Sequence, residues 1–147
     1  MTTQTTPPER QFDFWLGEWD VSWGEGQEGT NRVDKILDGK VIREQFDGNP
    51  AMPFQGVSLS VYDARAELWR QTWVDTESNY WSFVGRFEDG RMTLATEVEV
   101  EGKPVQLRMV FYNIAADELD WNWERSEDGG KSWELRWHIH YRRKAGR

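Results

Sequence analysis

Most of this chain alternates polar and apolar residues with a period of two, the signature of strands that bury one face. Trp19, Val21 and Trp23 alternate with Asp20 and Ser22, and Val57, Leu59 and Val61 with Ser58 and Ser60. Trp69, Gln71, Trp73 and Asp75 share one face, opposite Arg70, Thr72 and Val74. Leu119, Trp121, Trp123 and Arg125 alternate with Asp120, Asn122 and Glu124. The last segment sets Trp133, Leu135, Trp137, Ile139 and Tyr141 against Glu134, Arg136, His138, His140 and Arg142. Turn signals punctuate the pattern. Asp38-Gly39 separates Arg32–Leu37 from Val41–Phe46, and Asp89-Gly90 separates Tyr80–Phe87 from Met92–Val100. Glu101-Gly102-Lys103-Pro104 leads into Val105, Leu107, Met109 and Phe111. Asp-Gly between two alternating runs is a strong hairpin signal.

About ten strands at regular spacing, joined by short turns, predict an all-β, up-and-down antiparallel meander. Closing such a meander removes its exposed edges, so a closed β-barrel is expected. At most one short helical turn is expected, at Phe12–Leu16. Residues 1–11, rich in Thr and Pro, read as a flexible polar tail, and residues 12–147 as a single domain, since no linker interrupts the pattern.

Composition sharpens this picture. The 147 residues include ten Trp, seven Phe and four Tyr, too many aromatics for a disordered chain. Cysteine is absent, which excludes disulfides and thiol chemistry. Eighteen Lys and Arg against 26 Asp and Glu leave a net charge of -8, the wrong sign for a phosphate-binding surface, so no nucleic-acid partner is expected. No apolar run is long enough for a membrane helix, and the N-terminus lacks the basic and apolar regions of a signal peptide. The expectation is a cytoplasmic protein without membrane contact. It would be a monomer, or a homodimer through an apolar outer face.

The opening Phe12-Asp-Phe-Trp15-Leu-Gly17-Glu-Trp19 carries a Gly-x-Trp on the first strand. It looks like the calycin signature shared by lipocalins, fatty-acid-binding proteins and nitrobindins. That resemblance implies that Trp19 plugs the closed end of a barrel under a last-strand cation, Arg142 or Arg143. Four segments together, Phe12-x-x-Trp15-x-Gly17-x-Trp19, Ile36-Leu-Asp-Gly39, Trp69-x-Gln71-x-Trp73-x-Asp75 and Asp128-Gly-Gly-Lys-Ser-Trp133, resemble a bacterial domain-of-unknown-function family, number 1579. The match extends over nearly the whole chain and implies the barrel without an activity. The similarity to nitrobindins, which hold haem through a last-strand His, implies His138 or His140 as an axial ligand.

Two histidines, His138 and His140, form an i,i+2 pair and share a strand face. Such a pair suits a metal or haem iron, but its face also carries Glu134, Arg136 and Arg142. The opposite, apolar face is expected inside and the histidines outside, so no metal or cofactor is expected. Ser126-Glu-Asp128-Gly-Gly130-Lys-Ser132-Trp133 fits an Asp-box, read here as a turn device.

The inner faces hold the candidate site. Trp23, Trp73, Tyr80, Trp121 and Trp123 are expected to supply aromatic walls for a small hydrophobic or aromatic molecule. Glu44, Gln71 and Arg125 are expected to orient it. Glu44 and Arg125 would otherwise pair with each other, since a buried charge needs a partner. Two alternatives accompany this binding function: an enzyme using Glu44 or Asp75 as general base, and a haem or nitric-oxide binder. Ser58 and Ser60 have no cue linking them to either His as a nucleophile.

Overall fold

The computed structural model describes residues 6–145. Ten antiparallel strands follow one another around a closed barrel: β1 (Gly17–Trp23), β2 (Gln27–Ile36), β3 (Val41–Asp47), β4 (Gln55–Asp63), β5 (Leu68–Asp75), β6 (Tyr80–Glu88), β7 (Arg91–Val100), β8 (Lys103–Tyr112), β9 (Glu118–Ser126) and β10 (Glu134–Arg143). Each strand pairs with its chain neighbours, and β1 closes the ring against β10 through Trp19↔Arg143 to Ser22↔His140. The expected all-β up-and-down barrel is therefore present, with no free edge. The short turn expected at Phe12–Leu16 is a 3-10 turn over Asp13–Trp15. A second covers Pro8–Arg10, inside the segment read as a tail, whose residues 1–5 lie outside the described residues. Among the described residues no helix is long and apolar enough to cross a membrane.

The barrel has two unlike ends. At one, the N-terminal segment folds back as a plug. Phe12 and Trp15 are fully buried, their rings stacked at 4.8 Å, and both pack against Phe111 of β8. Trp19 lies beneath, its indole donating to the Trp15 carbonyl oxygen at 2.9 Å. The covering cation is Arg143: its guanidinium sits 4.2 Å from the Trp19 ring centroid. It also donates to the carbonyl oxygens of Leu16 (2.7 Å) and Ala116 (3.1 Å). Gly17 makes room for this. Its φ of +130° is a glycine conformation, and a Cβ there would collide with the Arg143 guanidinium. A stacked, doubly hydrogen-bonded cation contributes about 2 kcal/mol. Arg143→Ala is expected to lower the unfolding free energy in urea by that amount, and Arg143→Lys, which cannot bridge both carbonyls, to recover less than half of it.

Inward faces are set by pairing as well as by polarity, because residues directly opposite in an antiparallel ladder share a face. On β4 this overrides the apolar pattern. Gly56, Ser58 and Ser60 lie opposite the inward-facing Phe46, Glu44 and Ile42 of β3, and they are buried. Val57, Leu59 and Val61 consequently face outward, with Val74 and Val84, as an exposed apolar strip over β4–β6.

The Asp-box is the turn between β9 and β10. Asp128 accepts from the backbone of Lys131 and Ser132 and from the hydroxyls of Ser126 and Ser132. Those hydrogen bonds, that of Ser132 foremost, hold its carboxyl at about 2. Arg108 lies 3.9 Å from the ring centroid of Trp133, outside the barrel.

Candidate functional site

The open half of the barrel encloses a cavity of about 210 Å³. Its walls are aromatic. Trp121 and Trp123 of β9 run parallel, with centroids 6.5 Å apart, while Trp137 of β10 stands perpendicular to Trp121 at 5.8 Å. Trp81 of β6 meets Trp123 at 6.3 Å, and Phe54 stacks near Trp73 at 6.2 Å. Trp15 and Phe111 of the plug contribute to the lining, together with Tyr141. Indoles are large and rigid, so rings held at right angles leave space between them that aliphatic side chains would fill.

One carboxylate enters this lining from β3. Glu44 is 7% exposed and, among the described residues, has no cation beside it. It accepts from the Ser58 hydroxyl at 2.7 Å and from the Asn31 amide nitrogen at 2.8 Å. The same Asn31 nitrogen reaches the Tyr141 hydroxyl at 2.8 Å. Burial pushes the Glu44 carboxyl up to about 7, against the lowering effect of its two hydrogen bonds. Burial, with Glu44 next to it, holds the Tyr141 phenol above its ordinary range. The polar centre is thus a chain, Ser58–Glu44–Asn31–Tyr141, and the Asn31 carbonyl oxygen within it has no hydrogen-bond partner.

The rim is acidic. Asp75 accepts from the Trp73 indole at 2.7 Å, from the backbone of Glu77 and Asn79, and from the Asn79 amide. Burial works to raise its carboxyl, but the hydrogen bonds from Trp73 and Asn79 prevail and hold it below the usual range. Asp75 therefore orients Trp73 and is a poor proton acceptor. Gly56 lies under the same indole, where any Cβ would strike the Trp73 ring.

Of the residues expected at the site, Glu44, Trp73, Trp121 and Trp123 line the cavity. Trp23 faces inward but packs against Phe46 and Trp137 without lining it. Gln71 is buried one layer deeper, donating to Ser60 at 3.0 Å. Two expectations are corrected. Tyr80 is 69% exposed and lies outside the barrel: it is paired with outward Val74, and Trp81 is the inward residue. Arg125 does not pair with Glu44. It sits at the end of β9, its Nε 3.4 Å from Glu127, off the cavity wall. Two hydrogen bonds from neutral groups take the place of the expected ion pair.

The residues missed include Asn31, Ser58 and Tyr141, whose polar atoms complete the Glu44 network, and Trp81 and Trp137 of the wall. Cross-strand position was the available signal, since Asn31 and Ser58 fall on the strands flanking Glu44. His138 and His140 are on the outer face as expected, both nitrogens directed at Asp120 Oδ1 at 2.9 Å. Neither imidazole is among the residues lining the cavity. Among the described residues no cluster of His, Asp and Glu is arranged to hold a metal ion.

No curated protein matches this chain. A family model described as protein of unknown function (DUF1579) matches residues 11–143, from the plug through the end of β10. The chain belongs to that family.

Proposed function

We propose that this protein binds a small hydrophobic or aromatic molecule inside the barrel. The observation behind this reading is a cavity of about 210 Å³ walled by indoles, with a buried carboxylate on its lining. Cavities for drug-sized ligands start at ~300 Å³, so the occupant is a one- or two-ring compound. Burial of aromatic area supplies affinity, and the Glu44 network supplies orientation.

The raised Glu44 carboxyl favours one second reading, an enzyme in which Glu44 takes a proton from the captured molecule, because a general base works best with a pKa near the working pH. Turnover would then require Glu44, whereas binding would survive its neutral replacement.

The test is a library of one- and two-ring compounds followed through the tryptophan indole N–H signals in NMR. Binding in the barrel is expected to shift Trp73, Trp81, Trp121, Trp123 and Trp137 while leaving Trp133 in its external turn unmoved. Shifts at Trp133 alone, or none across the library, would sink the proposal.

A further inference from the structure

We infer that the cavity selects an organic cation: a primary or secondary ammonium carried on a small aromatic or hydrophobic body. This deepens the binding proposal and rests on it. Three independent observations converge.

The first is charge. Among the described residues, the ionisable groups on the lining are Glu44, Asp75, Glu77 and Tyr141, with no Lys, Arg or His. Arg125, the inward-alternating cation of β9, is absent from the lining, its Nε 3.4 Å from Glu127 at the strand end. An anionic ligand would meet three carboxylates and no counter-charge. A cation meets carboxylates at the rim and at depth, in a protein whose net charge of -8 already draws cations.

The second is the wall. Indole faces attract cations through the ring quadrupole, most strongly where water is excluded, and rings on several sides form the aromatic cage that recognises alkylammonium groups. Trp121, Trp123 and Trp137 present two orientations 88° apart around one space.

The third is the imbalance of hydrogen-bonding groups. Glu44 is a buried carboxylate with no cationic partner, and beside it the Asn31 carbonyl oxygen is unpartnered. Both are acceptors. An ammonium N–H donates to acceptors and neutralises the carboxylate, whereas an alcohol does only the former.

The expected pH dependence follows from the groups facing Glu44. These are Asn31 from β2, Ser58 from β4 and Tyr141 from β10, with Asp75 and Glu77 at the rim. Between pH 6 and 8 Tyr141 stays a neutral phenol and Asp75 a carboxylate, so the change in this set falls on Glu44. A cation binds the ionised form, and its apparent affinity scales with the fraction of protein in that form.

The experiment compares benzylamine, benzyl alcohol and benzoate by NMR titration at up to millimolar concentration. At pH 8 benzylamine is expected to bind at least tenfold more tightly than benzyl alcohol, with benzoate weakest. Benzylamine affinity is expected to fall about tenfold at pH 6, where few Glu44 side chains are ionised. Glu44→Gln is expected to remove both the preference for the amine and its pH dependence. The pH series on the unaltered protein stands on its own if that variant does not fold. Equal affinity for amine and alcohol, or a preference for benzoate, would overturn the cation selectivity while leaving the binding proposal standing. Failure of all three to shift the cavity indoles would overturn this inference, and the binding proposal itself falls only if the whole library also fails.

Discussion

Glu44→Gln is expected to stabilise this protein by about 3 kcal/mol at pH 8. In the unfolded chain the carboxyl ionises near 4.5, and in the folded barrel near 7, because burial disfavours the charge. The folded state therefore holds its proton more tightly. Its stability contribution is complete below pH 4.5 and is lost as pH rises through 7. A gap of about 2.5 pH units at ~1.36 kcal/mol each gives the 3 kcal/mol.

Glutamine keeps the shape and removes the ionisation. Its amide also fits the network: turning the Asn31 amide over brings the unpartnered carbonyl oxygen towards the new N–H, and the Tyr141 hydroxyl can donate instead of accepting. Urea denaturation of both proteins at pH 5 and pH 8 measures the effect. The advantage of the variant should shrink below about 1 kcal/mol at pH 5. Carboxylates held low by their hydrogen bonds, such as Asp75 and Asp128, have the opposite sign, adding stability above their unfolded pKa that is lost as pH falls. They are common to both proteins and cancel in the difference. A variant less stable than the original at pH 8 would mean that Glu44 is ionised and well compensated inside the barrel.

The prediction locates what the buried acid does. An ion that costs stability in the empty cavity is the group a bound cation would relieve. Under the proposed function, ligand binding and folding would be coupled through one proton: an ammonium entering at neutral pH would displace it, and the stability lost above pH 7 would return with the ligand.

How far the sequence reveals this depends on which rule governs each strand. The ten strands and their turns are legible because local signals agree: alternation specifies the pleat, and Asp38-Gly39 and Asp89-Gly90 occupy positive-φ turn positions. The plug is legible through the resemblance carried by Gly17 and Trp19, which implies a covering cation and leaves Arg142 and Arg143 open; the structure assigns it to Arg143. Glu44, Trp73, Trp121 and Trp123 are legible because each lies within an otherwise apolar face. Facing fails where polarity and pairing disagree. β4 carries its valines and leucine outward, since its register opposite β3 places Ser58 beside Glu44. The same principle displaces Tyr80, which lies opposite an outward residue of β5. Arg125 illustrates a different limit. Its alternation is inward, but it ends a strand, and the adjacent turn offers it Glu127 at less cost than a buried ion pair. Partners chosen across the barrel, such as Asn31 with Tyr141, have no local trace in the chain.

Trp15→Ala is expected to cost about 3–5 kcal/mol and to lengthen the cavity toward the closed end. Trp15 is 1% exposed, stacked on Phe12 and edge-on to Phe111 at 5.1 Å, and its removal leaves a void that the rigid strands cannot fill by collapse. Its backbone carbonyl still accepts from Trp19, so the loss is one of packing and the Arg143 latch remains. Because Trp15 also lines the cavity, the void is continuous with it. Urea denaturation measures the stability, and a comparison of one-ring and two-ring amines measures the space, with 1-naphthylmethylamine expected to gain on benzylamine. Trp15→Phe retains most of the stacking. It is expected to lose less stability and gain less room, which keeps the comparison available if the alanine variant does not fold. A cost below about 1 kcal/mol would mean that Phe12 and Phe14 hold the plug without Trp15. In that case the closed end would be a lid resting on the barrel, with the floor of the cavity set by Phe111 and Tyr141.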